Sequence, residues 1–520
     1  MLFAVLFALT LTCITGPLRC LAAGVTIITH GLNGSVDDWV IAMAERMTSY
    51  PRFAGTRSTC YELYFTQNGG NYQLTWKRLS GDAPLESDSG EIFVKLDWRQ
   101  LANDSFSTYD VAAAVVPHLV QADFIPELNG HALAELPLHL IGHSRGGSLV
   151  CQMSFLLGTN GVWVDQLTTL DPRPLNNDGF DDTPFYTVVD APANTYENVL
   201  FHDEYYQTLN LLFYGEAVAG AYVRQLTDLD GGYGGFAASH SDVHLWYHGT
   251  IDWRVPADDS VASITSAERQ TWWTLYESSG ATAGFYYSRI GGGDRLSTDR
   301  PAGAGTAPVR DGYNQRWDLG AGASNNRTAL PANNGTWPNL LKFDLVGTNA
   351  VAWGESNTVT FDYQWGQPAA TKATVGIYLD NDLNPYNGNE RLVRELSVPG
   401  ADQVGHVGAI IGLTATNAAP GLHWLCAKIS SEAATRYLYA PELLTVLSSF
   451  EPPRLEVVGD GGRPLRVTVA GVAGQRVVLQ SSPDLRMWQP LATNWLTTNG
   501  WSYFDNLTGG NREFYRATLP

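Results

Sequence analysis

A serine stands between two glycines in Gly142-His143-Ser144-Arg145-Gly146, and this short run constrains the chain more than any other. Before it, Leu138-His139-Leu140-Ile141 reads as a buried strand; behind it, Gly147 to Met153 reads as helix. Strand, sharp turn and helix with a hydroxyl at the apex is the pattern of a nucleophile elbow. Glycines serve there because the arms of the turn come too close for side chains. The helix behind brings free N–H groups and the positive end of its dipole to where an oxyanion would develop. An ordinary glycine-rich turn shares the five-residue pattern, and it is the flanking strand and helix that favour the elbow.

The surrounding sequence alternates strand-like and helix-like runs. Val25 to Thr29, Ile92 to Trp98, Leu138 to Ile141, Gln166 to Leu170 and Asn198 to Asp203 read as strands. Asp37 to Thr48 and Tyr109 to Val120 have helical apolar spacing. Alternation of this kind predicts an α/β fold with a doubly wound, mostly parallel sheet and sites at the strands' C-terminal ends. The period then changes. From Ser324 to Leu447 apolar residues alternate, as Val359, Phe361, Tyr363 and Trp365 do, which predicts an immunoglobulin-like β-sandwich. Residues 454–520 hold further short β runs and form a third, small β module. At 520 residues the length also suggests about three domains. The expected division is 1–22 signal peptide, 23–290 catalytic domain, 291–323 Gly/Pro-rich linker, 324–449 Ig-like sandwich and 454–520 small β module.

Composition narrows the partners. With 52 Asp and Glu against 32 Lys and Arg, the net charge of −20 argues against a nucleic acid or an anionic membrane. The uncharged apolar stretch of residues 2 to 15, broken by Gly16-Pro17, reads as a secretory signal, although no Lys or Arg precedes it. Secretion is therefore expected, and no later segment reads as transmembrane. Of the five cysteines, Cys13 and Cys20 would leave with the signal, and the remaining Cys60, Cys151 and Cys426 are scattered and odd in number, which gives neither a disulfide framework nor a metal-ligand spacing.

A serine nucleophile needs a base, an acid to orient that base, and a second oxyanion donor. Thr29-His30-Gly31-Leu32-Asn33 ends the first strand where a donor loop belongs, so the backbone N–H groups of Leu32 and Arg145 are the candidate oxyanion hole. His202, His240, His244 and His248 follow the elbow. His240, just after the glycine loop Gly231 to Gly235, fits a base on a loop with a helix starting behind it. Asp171 and Asp203 each end a strand and are both candidate acids. A turn cap would explain either one as well.

These segments, in this order, resemble the secreted lipases of pancreatic-lipase type within the α/β-hydrolase superfamily. The resemblance rests on Thr29-His30-Gly31, Leu96-Asp97-Trp98, the elbow, Leu170-Asp171-Pro172, Val199 to Asp203 and Ser239-His240. It implies a triad of Ser144, Asp171 and His240 with Leu32 and Arg145 as oxyanion donors, and no cofactor for the chemistry. It departs from that family in lacking the cysteines that flank the lid. Residues Tyr206 to Ala238 read equally as a cover or as packing. Arg145 is also unusual directly after the nucleophile, and its side chain could bring positive charge to the substrate.

One loop outside this region, Asp380 to Glu390, spaces oxygen donors closely around turn formers. Asp380, Asp382 and Asn384 are candidate ligands of a structural calcium ion, and a polar inter-strand loop is the alternative. The β modules resemble accessory modules of secreted bacterial proteins, which implies binding to a surface or cell envelope, or a spacer role. The function expected is a secreted serine hydrolase of carboxylic esters, lipase- or esterase-like, acting on a lipid or polymer substrate. The rivals are a depolymerase, amidase or acyltransferase on the same triad, and a non-catalytic adhesin that keeps only the scaffold.

Overall fold

The computed structural model describes residues 23–48, 58–87, 90–251 apart from 184, 211, 212 and 228, isolated positions between 264 and 285, and 327–519 apart from short stretches. The signal expected over 1–22 and the linker expected over 291–323 lie outside the described residues.

The first unit is built in the order β1 (Val25–Thr29), α1 (Trp39–Thr48), β2 (Thr59–Asn68), β3 (Asn71–Ser80), β4 (Ile92–Asp97), α2 (Thr108–Leu119), β5 (Leu138–His143), α3 (Arg145–Thr159), β6 (Val164–Leu170), β7 (Val199–Gln207), β8 (Tyr222–Leu226) and α4 (Ala238–Ile251). Its eight strands form one sheet, β3-β2-β4-β1-β5-β6-β7-β8. The β2–β3 pairing is antiparallel and the others are parallel. Every residue of β1, β4, β5 and β6 is buried, as expected of strands covered on both faces. On one face, Trp39, Val40 and Met43 of α1 share an apolar cluster with Trp246 and Tyr247 of α4. On the other, Val111 and Val115 of α2 pack with Leu149 and Met153 of α3.

The expectation of an α/β-hydrolase doubly wound fold is corrected here. Among the described residues 43% lie in strands and 17% in helices, so the chain is mostly β, with mixed sheets and few, short helices. The connections give the physical reason. Parallel strands usually return through a crossover helix, but residues 171–198 and 208–221 link β6 to β7 and β7 to β8 with no helix among their described residues. The first of these links is held by side-chain-to-backbone bonds: Asn176 Nδ2 donates to the Tyr186 and Val188 carbonyls at 3.0 and 2.8 Å, and Asp190 accepts from the Thr108 and Leu175 amides. Residues 59–80, absent from the sequence reading, form the β2–β3 hairpin.

The second unit is a β-sandwich, compatible with the Ig-like arrangement expected. Its strands are β9 (Asn339–Val346), β10 (Ala350–Ala352), β11 (Ser356–Trp365), β12 (Lys372–Asp380), β13 (Arg391–Pro399), β14 (Ala401–Gly412), β15 (Gly421–Ser430), β16 (Thr435–Tyr439) and β17 (Leu444–Leu447). The sheet β14-β11-β9 faces β10-β17-β15-β12-β13, on which β16 pairs with β15. Val359 and Phe361 from the first, and Val375, Ile377 and Leu425 from the second, fill the space between. The third unit holds β18 (Arg454–Val458), β19 (Leu465–Ala470), β20 (Arg476–Ser482), β21 (Gln489–Trp495), β22 (Trp501–Asp505) and β23 (Phe514–Thr518), in the sheets β18-β19-β22 and β21-β20-β23. Its core is small: Val467, Val469, Val477, Leu479 and Leu496.

The sandwich is joined to the first unit by packing and by buried polar contacts. Trp337, Tyr386, Tyr437 and Tyr439 belong to the same apolar cluster as Leu133, Leu136 and Leu138. Arg436, 1% exposed, pairs with the buried Asp165 and donates to the Ala134 and Trp163 carbonyls at 2.9 and 3.2 Å. Asn339 accepts from the Trp163 amide at 3.0 Å and donates to the Gly161 carbonyl at 2.6 Å.

Candidate active site

The elbow is present at the C-terminal end of β5. Ser144 has φ +57° and ψ −128°, a conformation costing a non-glycine residue on the order of 1–3 kcal/mol. Three backbone bonds hold it there. Its N–H donates to the Leu170 carbonyl at 3.0 Å, and its carbonyl accepts from Gly147 and Arg173 at 2.9 and 3.0 Å. The flanking glycines are explained by distance: a methyl group on Gly142 would lie 2.1 Å from the Gly146 carbonyl oxygen, and one on Gly146 2.4 Å from the His30 carbonyl oxygen. Ser144 itself is partly exposed.

Asp171 and His240 meet beside it. His240 Nδ1 donates to Asp171 Oδ2 at 2.6 Å across 69 residues of chain. Asp171 also sits at positive φ (+45°), and its carboxylate is held by Gln207, whose side chain donates to Oδ2 at 2.9 Å and whose amide donates to Oδ1 at 3.0 Å. Gly215 leaves the room: a methyl group there would lie 2.1 Å from Asp171 Oδ1. A buried carboxylate so fixed holds the imidazole tautomer with the proton on Nδ1 and leaves Nε2 as the acceptor.

The alternatives are placed elsewhere. Asp203 is buried and accepts from Thr168 Oγ1 at 2.6 Å, Gln166 Nε2 at 3.0 Å and the Tyr205 hydroxyl at 2.9 Å. His202 lies between Thr169 and Thr195 at 2.9 and 2.6 Å. His244 stacks on Trp39 with ring centroids 4.4 Å apart, and burial pushes its pKa well below the ordinary histidine value. His248 is buried within α4. One detail of the sequence reading is corrected: His240 lies in the first turn of α4, not on the loop before it.

The loop after β1 packs against the elbow, since a methyl group on Gly31 would fall 2.8 Å from Ser144 Cβ and 3.1 Å from Ser144 Oγ. It is anchored by the Trp98 indole N–H to the His30 carbonyl at 3.0 Å and by the Asn33 amide to the Ala102 carbonyl at 2.8 Å. Leu32 lies between these anchors. Arg145 opens α3, where the first N–H groups have no intrahelical acceptor. The side chain of Arg145 does not reach a substrate, contrary to the sequence reading. It is fully buried, with Nε 2.6 Å and Nη2 2.8 Å from the Asp190 carboxylate and Nη1 2.8 Å from the Asn103 carbonyl.

Of the segment read as cover or packing, β8 joins the sheet edge, while Phe213 approaches His240 with ring centroids 6.0 Å apart. Phe213 also packs edge-on against Phe236, and the Arg173 guanidinium lies 4.9 Å from its ring. Leu211 and Leu212 lie outside the described residues. Sequence reasoning missed Gln207, Gly215 and His143. Only the spacing of Gln207 at the end of a strand beside Asp171's could have suggested the first of these.

The loop read either as a calcium site or as a polar inter-strand loop docks on the first unit. Asn384 is buried and donates through Nδ2 to the Pro84 carbonyl and to the Ser87 carbonyl, the latter at 2.6 Å. Asp380 accepts from the Tyr439 hydroxyl, and burial pushes its carboxyl up to about 7. Asp382 accepts from Asn387 at 2.9 Å and Asn389 at 2.6 Å. These atoms are engaged within the protein, and among the described residues no group of three or more His, Cys, Asp or Glu side chains is arranged to hold a metal ion. Cys60, Cys151 and Cys426 are buried and free. No described helix is long and apolar enough to cross a membrane.

No family model matches the chain, and no curated protein is similar to it. Among solved structures, it is similar over 21% of its length to a CARDB domain from Pyrococcus furiosus, covering 93% of that chain at 12% identity with a TM-score of 0.14. A DNA glycosylase from Pseudomonas fluorescens matches 22% of this chain and 31% of its own at 18% identity, with a TM-score of 0.16. A β-glucosidase from Listeria innocua matches 21% and 16% at 14% identity, with a TM-score of 0.14. These likenesses are too partial to assign a fold or an activity.

Proposed function

We propose that the protein is a serine hydrolase of carboxylic esters. The observation that carries this reading is the 2.6 Å bond between His240 Nδ1 and Asp171 Oδ2, set beside a serine in a strained turn at the head of a helix. Ser144 Oγ attacks the ester carbonyl carbon while His240 Nε2 takes its proton, and Asp171 stabilises the imidazolium. The Leu32 and Arg145 amides donate to the oxyanion. Losing one such donor typically costs about 2.7–4 kcal/mol of transition-state stabilisation. Collapse of the tetrahedral intermediate breaks the C–O bond to the alkoxy group, which leaves as the alcohol with the proton from His240. Water, deprotonated by His240, then releases the acid and restores Ser144. Phe213 beside the base, with Phe236 packed against it, favours an apolar acyl or alkoxy group, in keeping with the ordered segments that resemble secreted lipases.

A fluorophosphonate probe tests this directly. Wild type should become covalently labelled and hydrolyse p-nitrophenyl butyrate, and Ser144→Ala should do neither. Equal labelling of both, or of neither, would remove the reading.

A further inference from the structure

Both neighbours of Ser144 are tied to distant parts of the chain. Arg145 is fastened to Asp190, and His143 is fastened to the base. His143 Nε2–H donates to the His240 backbone carbonyl at 2.9 Å, a bond spanning 97 residues. The two imidazole rings lie 4.5 Å apart, tilted by 42°. Behind His143, Trp39 meets its ring edge-on at 5.8 Å, and His244 does so at 4.7 Å. His143 is 6% exposed and closes the gap between β5 and the start of α4.

We infer that His143 is a positioning residue for the triad: its Nε2–H···O=C bond to His240 sets where the base stands relative to Ser144. This rests on the ester-hydrolase reading above. The geometry gives the mechanism. Asp171 fixes the rotation of the His240 ring through Nδ1, but a ring bond alone leaves the backbone of the first turn of α4 free to shift. The second bond, from the residue covalently next to the nucleophile, ties that backbone to the elbow. Nucleophile and base then move as one body, and their separation survives small motions of the loop that precedes α4. Trp39 and His244 hold the His143 ring in the orientation that aims Nε2 at the carbonyl. Burial also pushes the pKa of His143 well below the ordinary histidine value, so no second cation is placed against the imidazolium that forms on His240.

The test compares three substitutions with p-nitrophenyl butyrate as substrate. In His143→Gln the side-chain amide nitrogen reaches close to where Nε2 stood, so the bond can re-form. His143→Asn is polar but too short, and His143→Leu fills similar space with no donor. A misplacement of about 1 Å costs up to about a hundredfold in rate. The expected result is therefore kcat lowered ten- to a hundredfold, on that estimate, in the Asn and Leu variants, with KM within twofold and most of kcat recovered in His143→Gln. A packing role alone would spare Leu and give Gln no advantage over Asn. Wild-type kcat in His143→Leu, or a Gln variant as slow as Asn, overturns the proposal. If the Leu variant fails to fold, the Gln and Asn comparison decides. A Gln variant that fails to fold also counts against it, because the bond it preserves should hold the site together. If Ser144→Ala keeps activity and labelling, the hydrolase reading fails instead, a result distinct from any of these.

Discussion

Replacing Asp171 by Asn is the most informative single change, because the structure specifies three donors around its two oxygens. Oδ2 accepts from His240 Nδ1 at 2.6 Å and Gln207 Nε2 at 2.9 Å, and Oδ1 accepts from the Gln207 amide at 3.0 Å. The Gln207 side chain cannot turn over to help, since its Oε1 accepts from the Leu209 and Asn210 amides. With its nitrogen toward His240, the new amide faces the Gln207 NH2 and selects the tautomer with the proton on Nε2, which cannot accept from serine. With its oxygen toward His240, its NH2 faces the Gln207 backbone N–H. In both orientations the charge that would stabilise the imidazolium is gone. The loss expected for a triad acid is about 10⁴ in kcat, or about 5.4 kcal/mol at about 1.36 kcal/mol per decade. Asp203→Asn is the control. It should cost about 1–3 kcal/mol of stability through its buried bonds to Thr168, Gln166 and Tyr205 while leaving turnover per labelled serine unchanged. Stopped-assay kcat on p-nitrophenyl butyrate, active-site titration and a melting curve for each variant separate the two effects. The reasoning is refuted if folded Asp171→Asn retains kcat within tenfold of wild type, or if Asp203→Asn is the one that collapses.

Other outcomes follow from the same structure. Gly142→Ala places a methyl 2.1 Å from a backbone carbonyl and should cost about 1–3 kcal/mol in urea denaturation while abolishing fluorophosphonate labelling. Arg436→Ala strands the buried Asp165 carboxylate and should destabilise by about 3–5 kcal/mol, whereas the paired change Arg436→Met with Asp165→Leu should cost far less. Glu204 is buried, accepts from the Val218 amide at 2.6 Å, and burial pushes its carboxyl up to about 8 from an ordinary 4.5. Between those values the unfolded chain releases a proton that the folded chain retains. Its contribution is thus complete below about 4.5 and declines as pH rises toward about 8. Melting temperatures at pH 5 and pH 8 should converge in Glu204→Gln relative to wild type, and an unchanged difference would rule this group out.

Much of the local structure could be read from short patterns, and much of the assembly could not. The runs 25–29, 92–97 and 138–143 are predominantly apolar and form strands that are covered on both faces. Turn chemistry marked Ser144 and chain order pointed to His240, while Asp171 and Asp203 both stayed open until the resemblance favoured the first; in the structure it is Asp171 that bonds His240. The fold class failed for the opposite reason. Strand-like and helix-like runs alternating from Gly24 into the 270s suggested a doubly wound sheet, but the link after β6 is fixed by Asn176, Asp182 and Asp190, whose side-chain bonds to backbone groups leave no periodicity in sequence. The loop Asp380 to Glu390 was ambiguous for a related reason: oxygen-rich spacing does not distinguish a cation's ligands from a peptide that caps its own backbone and donates to a neighbouring unit. Arg145 and Arg436 likewise look like surface charges until their partners, 45 and 271 residues away, are known.

The buried seam around Arg436 and Asn339 has a consequence for how this molecule comes apart. A chain cut somewhere in 291–323 would lose its covalent connection there but none of the contacts that hold Trp163 to Asn339 or Asp165 to Arg436. The two fragments should then co-migrate and melt together, as a nicked pair. Expressed separately, the first would carry an open apolar wound beneath Leu133 and Leu136. The sandwich is thus less an appended accessory than the far wall of its neighbour, and any surface it presents keeps a fixed bearing on Ser144.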